Sequence, residues 1–97
     1  MNKEETQMMA FQLIGFAGDA FSHFFQAIDA AKKADYEEAE RLIQEGKKSM
    51  KEAHDAQTDL LSAEADGKDL AYSILMVHAQ DHLTMALMYE RLASEFI

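Results

Sequence analysis

The fold is decided by residues 70–97, which read LAYSILMVHAQDHLTMALMYERLASEFI. The only residues with a formal charge in this stretch are Asp81, Glu90, Arg91 and Glu95. A helix drawn through it is apolar on nearly all sides and therefore needs burial on more than one side. At about 1.5 Å per residue it would be about 42 Å long, and the rest of the chain is too short to enclose it. Copies of this helix are therefore predicted to pack together in a homo-oligomer.

The composition of the whole chain also favours long helices. The 97 residues include no proline and four glycines, too few turn-forming residues for a β-sandwich or a β-barrel. Apparent breaks at residues 32–35 and 65–69 divide the chain into three segments, predicted to be helices at about residues 3–33, 35–64 and 69–96. Two stretches have the spacing of N-terminal capping pairs, Asn2 with Glu5 and Asp35 with Glu38. We expect one all-α domain over residues 1–97.

Charge and apolar content exclude several classes of partner. Eighteen acids and nine bases give a net charge of −9, which disfavours binding to nucleic acid or to an anionic membrane surface. The sequence has no run of eighteen apolar residues and no basic leader followed by an apolar stretch, so neither membrane insertion nor secretion is expected. The absence of cysteine fits a reducing compartment. A cytoplasmic protein is predicted.

A polar cluster, His-Ala-Gln-Asp-His, interrupts the apolar third helix at residues 78–82. At about 100° per residue, His82 lies about 40° and Asp81 about 60° from His78, so these three side chains share one face. Gln80 falls on the other side of the helix, which we expect to face solvent. A carboxylate on an apolar face is costly unless it is paired, protonated or bound to a metal. Several titratable groups converging in an apolar place are typical of a functional site.

Several kinds of chemistry suit this cluster. The neutral imidazole of His78 is a nucleophile near neutral pH, and a phosphoryl group on its nitrogen is labile enough to be passed on. Copies of Asp81 from different subunits could meet at a symmetry axis, where a divalent cation would join them. Alternatively, His78 and His82 could hold zinc or iron with a third ligand from His23, His54 or Asp81. A further alternative is a non-catalytic interaction module whose apolar third helix binds a different protein.

Three blocks occur in order along the chain, AGDA at residues 17–20, EAHDAQT at residues 52–58 and LMVHAQDHL at residues 75–83. Together they resemble the lactose/cellobiose-type enzyme IIA of the bacterial phosphoenolpyruvate-dependent sugar phosphotransferase system. The resemblance implies a three-helix antiparallel up-down bundle that forms a homotrimer with helix three near the axis. It also implies a phosphocarrier that takes a phosphoryl group from HPr onto a histidine and gives it to a cysteine of enzyme IIB. The implied process is uptake of a β-linked disaccharide such as lactose or cellobiose.

The resemblance assigns roles to residues of the third helix. His78 matches the family's phosphorylated histidine. Asp81 matches the acid whose three copies bind a metal ion, usually taken as magnesium, at the trimer axis. His82 and Gln80 complete the same block in supporting roles.

The other two blocks place further residues. His54 and Gln57 match the block in helix two, without an assigned chemistry. The chain departs from the family's pattern in helix one, because Phe21 occupies a place where many relatives have an arginine. If that arginine holds phosphate or a neighbouring subunit in relatives, this chain must do so by other means.

Overall fold

The computed structural model describes residues 2–68 and 73–97, and these ranges contain three α-helices and no strand. They are α1 at Lys3–Lys32, α2 at Tyr36–Ala65 and α3 at Ile74–Phe96. Neighbouring helices in the chain run antiparallel, so α1 and α3 are parallel, in a bundle 49 Å long. The predicted all-α class and up-down bundle are confirmed. No helix in the described ranges is long and apolar enough to span a membrane.

Side-chain caps begin the first two helices as the capping pairs predict. The Asn2 side chain accepts a hydrogen bond from the backbone N–H of Glu5 over 2.8 Å. The Asp35 carboxylate accepts one from the N–H of Glu38 over 3.3 Å. Each cap satisfies a backbone donor that has no partner within the helix, which stabilises the helix start by about 1 kcal/mol.

The third helix begins later than predicted. Ser73 has an extended backbone with φ −153° and ψ 158°, and its hydroxyl oxygen accepts a hydrogen bond from the N–H of Met76 over 3.1 Å. Ser73 is therefore the N-cap, and α3 begins at Ile74 instead of near residue 69. The predicted first residues of this helix, 69–72, lie outside the described residues.

The core is organised around α1, because α2 and α3 contact each other far less than either contacts α1. The buried residues of α1 alternate at intervals of four and three, a spacing that aligns them along one stripe. These residues are Thr6, Ala10, Leu13, Ala17, Ala20, Phe24 and Ala27. In the described part of the chain, nine of the sixteen buried apolar residues are alanines. Helices can approach closely across alanine, but the apolar surface buried inside one chain stays small.

Apolar side chains remain exposed along the flank of α3 that faces away from the core. The buried residues of α3 are Ala79, Leu83, Ala86 and Ala93. Exposed apolar side chains on the free flank form what we call the α3 apolar stripe, in which Ile74 is 89% and Met88 61% exposed. Its members are Ile74, Val77, Met85, Met88, Leu92 and Phe96. The stripe is about 33 Å long at 1.5 Å per residue, and it is the uncovered flank that the sequence predicts.

Candidate functional site

The candidate site lies in the N-terminal half of α3, where His78 and His82 face each other across one helical turn. Their Nε2 atoms are 3.0 Å apart, their ring centroids are 4.5 Å apart, and the ring planes meet at 89°. At this distance one Nε2 donates its N–H and the other accepts with its lone pair. His78 is exposed and His82 is half-buried. The pair therefore presents one imidazole at the surface of the chain and keeps the second behind it as a hydrogen-bond partner.

Asp81 lies within the α3 apolar stripe, between the exposed side chains of Val77 and Met85. Its side chain is exposed, and it takes part in none of the ion pairs of residues 2–68 and 73–97. If the stripe is covered by other copies, this carboxylate needs a cation or a proton. Carboxylate oxygens suit a hard cation such as Mg²⁺, but such a cation takes several ligands, so the remaining ones must come from outside this chain.

The structure does not supply a third ligand for zinc or iron at the histidine pair. Within the described ranges, no three His, Cys, Asp or Glu side chains come close enough to hold a metal ion. His23 belongs to α1, where its Nδ1 lies 2.9 Å from the carbonyl oxygen of Asp19. His54 is exposed on α2. A zinc or iron centre built inside a single chain is therefore not supported.

Gln80 does not face solvent, and that prediction is wrong. Its side chain is half-buried between α2 and α3 and forms two reciprocal hydrogen bonds with Gln57, each 2.8 Å long. We call this pair the Gln57–Gln80 clamp. A helical wheel places a residue relative to its own helix only, so it cannot show that α2 covers this side of α3. Both glutamines lie in blocks that the sequence singles out, but nothing in their spacing indicates that they pair.

Phe21 contributes to an aromatic cluster between α1 and α3. Its ring centroid lies 4.5 Å from that of Tyr89 and 6.4 Å from that of Phe25. Tyr89 follows His82 by seven residues, about 10 Å along α3. Phe21 therefore fixes α3 against α1 at a distance from the histidine pair.

The resolved pKa shifts belong to exposed ion pairs on α2. The hydrogen bond from Arg41 lowers the pKa of the Glu38 carboxyl, and the hydrogen bond to Asp55 raises the pKa of Lys51. Each pair joins residues of the same helix near its solvent side. Exposed pairs of this kind contribute little to stability, and neither involves the histidines of α3.

Comparison with known proteins gives a match over nearly the whole chain. Residues 8–97 match the family described as "PTS system, Lactose/Cellobiose specific IIA subunit". A PTS system lactose-specific EIIA component of Staphylococcus aureus is 45% identical over 97 residues, which are all of this chain and 94% of that relative. The component of the same description from Lactococcus lactis subsp. lactis is 40% identical over 88 residues, 91% of this chain and 84% of the relative.

Two solved structures have the same arrangement of helices. The PTS cellobiose-specific enzyme IIA from Bacillus anthracis superposes with a TM-score of 0.92 and 38% identity, over 99% of this chain and 86% of that one. PtcA from S. mutans superposes with a TM-score of 0.94 and 42% identity, over 98% of this chain and 93% of that one. The similarity therefore extends over all three helices, including the part of α3 that carries the two histidines.

Proposed function

We propose that this chain carries a phosphoryl group on His78, because it belongs to the lactose/cellobiose-specific IIA family of the sugar phosphotransferase system. The observation that carries the proposal is the geometry of the histidine pair. His78 is exposed to an incoming protein, and its Nε2 lies 3.0 Å from Nε2 of a half-buried second imidazole, that of His82. An accessible nucleophile held by a neighbouring hydrogen-bonding group is the arrangement that nucleophilic catalysis requires.

The chemistry that we propose is an exchange between two imidazoles. Nε2 of His78, unprotonated, attacks the phosphorus of a donor phosphohistidine. A new P–N bond forms as the donor's P–N bond breaks, and the donor imidazole, protonated on its other nitrogen, leaves in neutral form. Before the reaction His82 donates its Nε2–H to the lone pair of Nε2 of His78; this hydrogen bond breaks when the lone pair attacks, and the freed N–H then donates to a phosphoryl oxygen. In this tautomer Nδ1 of His78 keeps its proton, so the nucleophilic nitrogen is the one that faces His82.

We propose HPr as the phosphoryl donor and a cysteine of enzyme IIB as the acceptor. The sugar is then a β-linked disaccharide of the lactose or cellobiose type. The lactose-specific relative from Staphylococcus aureus and the cellobiose-specific structure from Bacillus anthracis support this class of substrate. Both proposed partners need direct access to one histidine. His78 is exposed in the single chain, at the edge of the α3 apolar stripe, so the proposed trimer must leave this edge open. The proposed location of these transfers is the cytoplasm.

Incubation of the purified chain with phosphoenolpyruvate, enzyme I and HPr tests the carrier function. We expect each chain to take up one phosphoryl group, which acid releases and alkali does not, as for a phosphoramidate. Omission of HPr should prevent the labelling. If HPr becomes phosphorylated and the chain does not, the proposed function is wrong.

We also propose a homotrimer with α3 near its axis. The α3 apolar stripe is too exposed to be explained by packing inside one chain, and burying it in other copies would stabilise the assembly at about 25 cal/mol per Å². Three stripes meeting at an axis bring three copies of Asp81 together. Their mutual repulsion calls for a cation, and Mg²⁺, when bound there, would supply the compensating charge.

Asp81→Leu is expected to keep the trimer and to remove its dependence on divalent cations, because leucine suits an apolar axis without charge compensation. Sedimentation velocity at micromolar concentration, with and without EDTA, measures both effects. The wild-type trimer should dissociate in EDTA, whereas the variant should not respond. Asp59→Leu, which removes an exposed acid from α2, should respond as the wild type does. A wild type indifferent to EDTA would contradict the axial metal, and a stable monomer would contradict the trimer.

A further inference from the structure

In the N-terminal half of α3, apolar packing against the core comes from Leu75, Met76, Ala79 and Leu83. The buried residues there are Ala79 and Leu83. Alanine allows close approach but does not interlock with a neighbouring helix as a larger side chain does. The aromatic contact between Phe21 and Tyr89 restrains the helix only farther along, about 10 Å beyond His82. Apolar packing has no preferred direction, so a directional restraint near the histidines has to come from a hydrogen-bonded contact.

The Gln57–Gln80 clamp is that contact. Within residues 2–68 and 73–97 it is the one place where side chains of α2 and α3 are hydrogen-bonded to each other. Each amide donates one hydrogen bond to the other and accepts one from it, both 2.8 Å long. These two bonds together fix the orientation of one amide group relative to the other. Both side chains are half-buried, and losing a bond there leaves a polar group poorly solvated.

The clamp holds α3 on the side opposite the histidine pair. At about 100° per residue, Gln80 projects about 160° away from His78 and about 160° away from His82. It also lies in the turn that these two histidines bound. A rotation of α3 that breaks the clamp therefore swings both imidazoles around the same axis, and this changes how far His78 projects from the surface.

We propose that Gln57 is a positioning residue for phosphoryl transfer: through Gln80 it fixes the rotation of α3 so that His78 points outward with His82 behind it. This inference rests on the proposed function of His78. The hydrogen-bond partner of Gln57 is Gln80 and neither of the histidines, so Gln57 acts on the reaction from the far side of the helix.

Gln57→Glu tests the proposal, because glutamate has the size of glutamine but changes its hydrogen bonding with pH. The carboxylate accepts a bond from Nε2 of Gln80 but donates none to its Oε1, whereas the protonated acid does both. At about pH 8 we expect single-turnover transfer from phosphorylated HPr to be about fivefold slower than in the wild type, a factor that corresponds to about 1 kcal/mol. Because the half-buried position raises the pKa of a carboxyl above its ordinary value of about 4.3, the ratio of the variant's transfer rate to that of the wild type should rise as the pH falls from about 8 to about 5.

Gln44→Glu is the matched control. Gln44 is exposed on the same helix, and its amide donates a hydrogen bond to Glu40 of that helix over 3.2 Å. This variant adds the same charge to α2 without touching α3. The ratio of its transfer rate to that of the wild type should therefore stay near one at every pH. A second measurement uses Gln57→Ala, Gln80→Ala and the double variant, whose effects on rate should be less than additive if the two side chains act as one unit.

The ¹⁵N resonances of the two imidazoles give a readout that does not depend on phosphorylation. They should shift in Gln57→Ala and remain unchanged in Gln44→Glu. A folded Gln57→Glu variant that accepts the phosphoryl group as fast as the wild type at about pH 8 would overturn the proposal, even if His78 is the carrier. If the wild type accepts no phosphoryl group, the proposed function fails, and unchanged imidazole resonances in Gln57→Ala would then overturn the positioning role as well.

Discussion

We expect His78→Gln to slow phosphoryl transfer from HPr by more than about a thousandfold. The amide nitrogen of glutamine has no basic lone pair with which to attack phosphorus. The fold and the assembly should remain. His78 is exposed, and substitutions at exposed positions usually change stability by no more than about 0.5 kcal/mol. Rapid-quench labelling measures the transfer, while circular dichroism and sedimentation establish that the variant is folded and assembled.

His23→Gln is the control for this substitution. It replaces another partly exposed helical histidine, at a position on α1 whose Nδ1 bonds to its own helix. Labelling of this variant should equal that of the wild type. Full labelling of His78→Gln together with loss of labelling in His82→Gln would transfer the carrier role to His82 and contradict our assignment.

Gly46→Ala is expected to have the largest effect on stability, because the Phe24 ring of α1 occupies the space next to this glycine of α2. A Cβ atom at position 46 would lie 2.5, 2.8 and 2.9 Å from three ring atoms of Phe24. The Phe24 ring is fully buried, so it cannot move aside without disturbing the core. We expect a loss of about 1–3 kcal/mol in the free energy of unfolding, despite the preference of helices for alanine. Urea unfolding of the wild type and of the Gly46→Ala variant measures this loss.

Gly15→Ala makes the same chemical change at a helical position with open space around it. Apart from its chain neighbours and the backbone of its own helix, a Cβ there meets no atom of residues 2–68 and 73–97 within 4 Å. Alanine favours a helix over glycine by up to about 1 kcal/mol, so this variant should be as stable as the wild type or more stable. Equal losses in both variants would show that the contact with Phe24 is not the cause.

The sequence predicts the helices well where their limits are set by local signals. The absence of proline and the caps at Asn2 and Asp35 act within a few residues, and these helix starts agree with the structure. The start of α3 was predicted too early because the apolar pattern continues through residues 70–72 in the sequence. A single hydroxyl group, that of Ser73, sets the start of the helix instead.

The candidate site likewise has features that the sequence predicts and features that it does not. His78 and His82 had to share a face because four residues make about one helical turn, and this holds in any helix. The Gln57–Gln80 clamp depends on how two helices are rotated relative to each other. That rotation results from the packing of the whole bundle, so no spacing within one helix can predict it. The contact between Phe21 and Tyr89 escaped prediction for the same reason.

The central position of α1 also determines the order in which the chain can fold. Residues 33–35 join α1 to α2, so closing this hairpin restricts only a short loop and loses little chain entropy. The third helix packs chiefly on α1, and its docking must close a loop that contains the whole of α2. We therefore expect α3 to dock last and to open first, with the least protected amide hydrogens of the three helices until other copies cover it. Local unfolding would then be concentrated in the helix that carries His78.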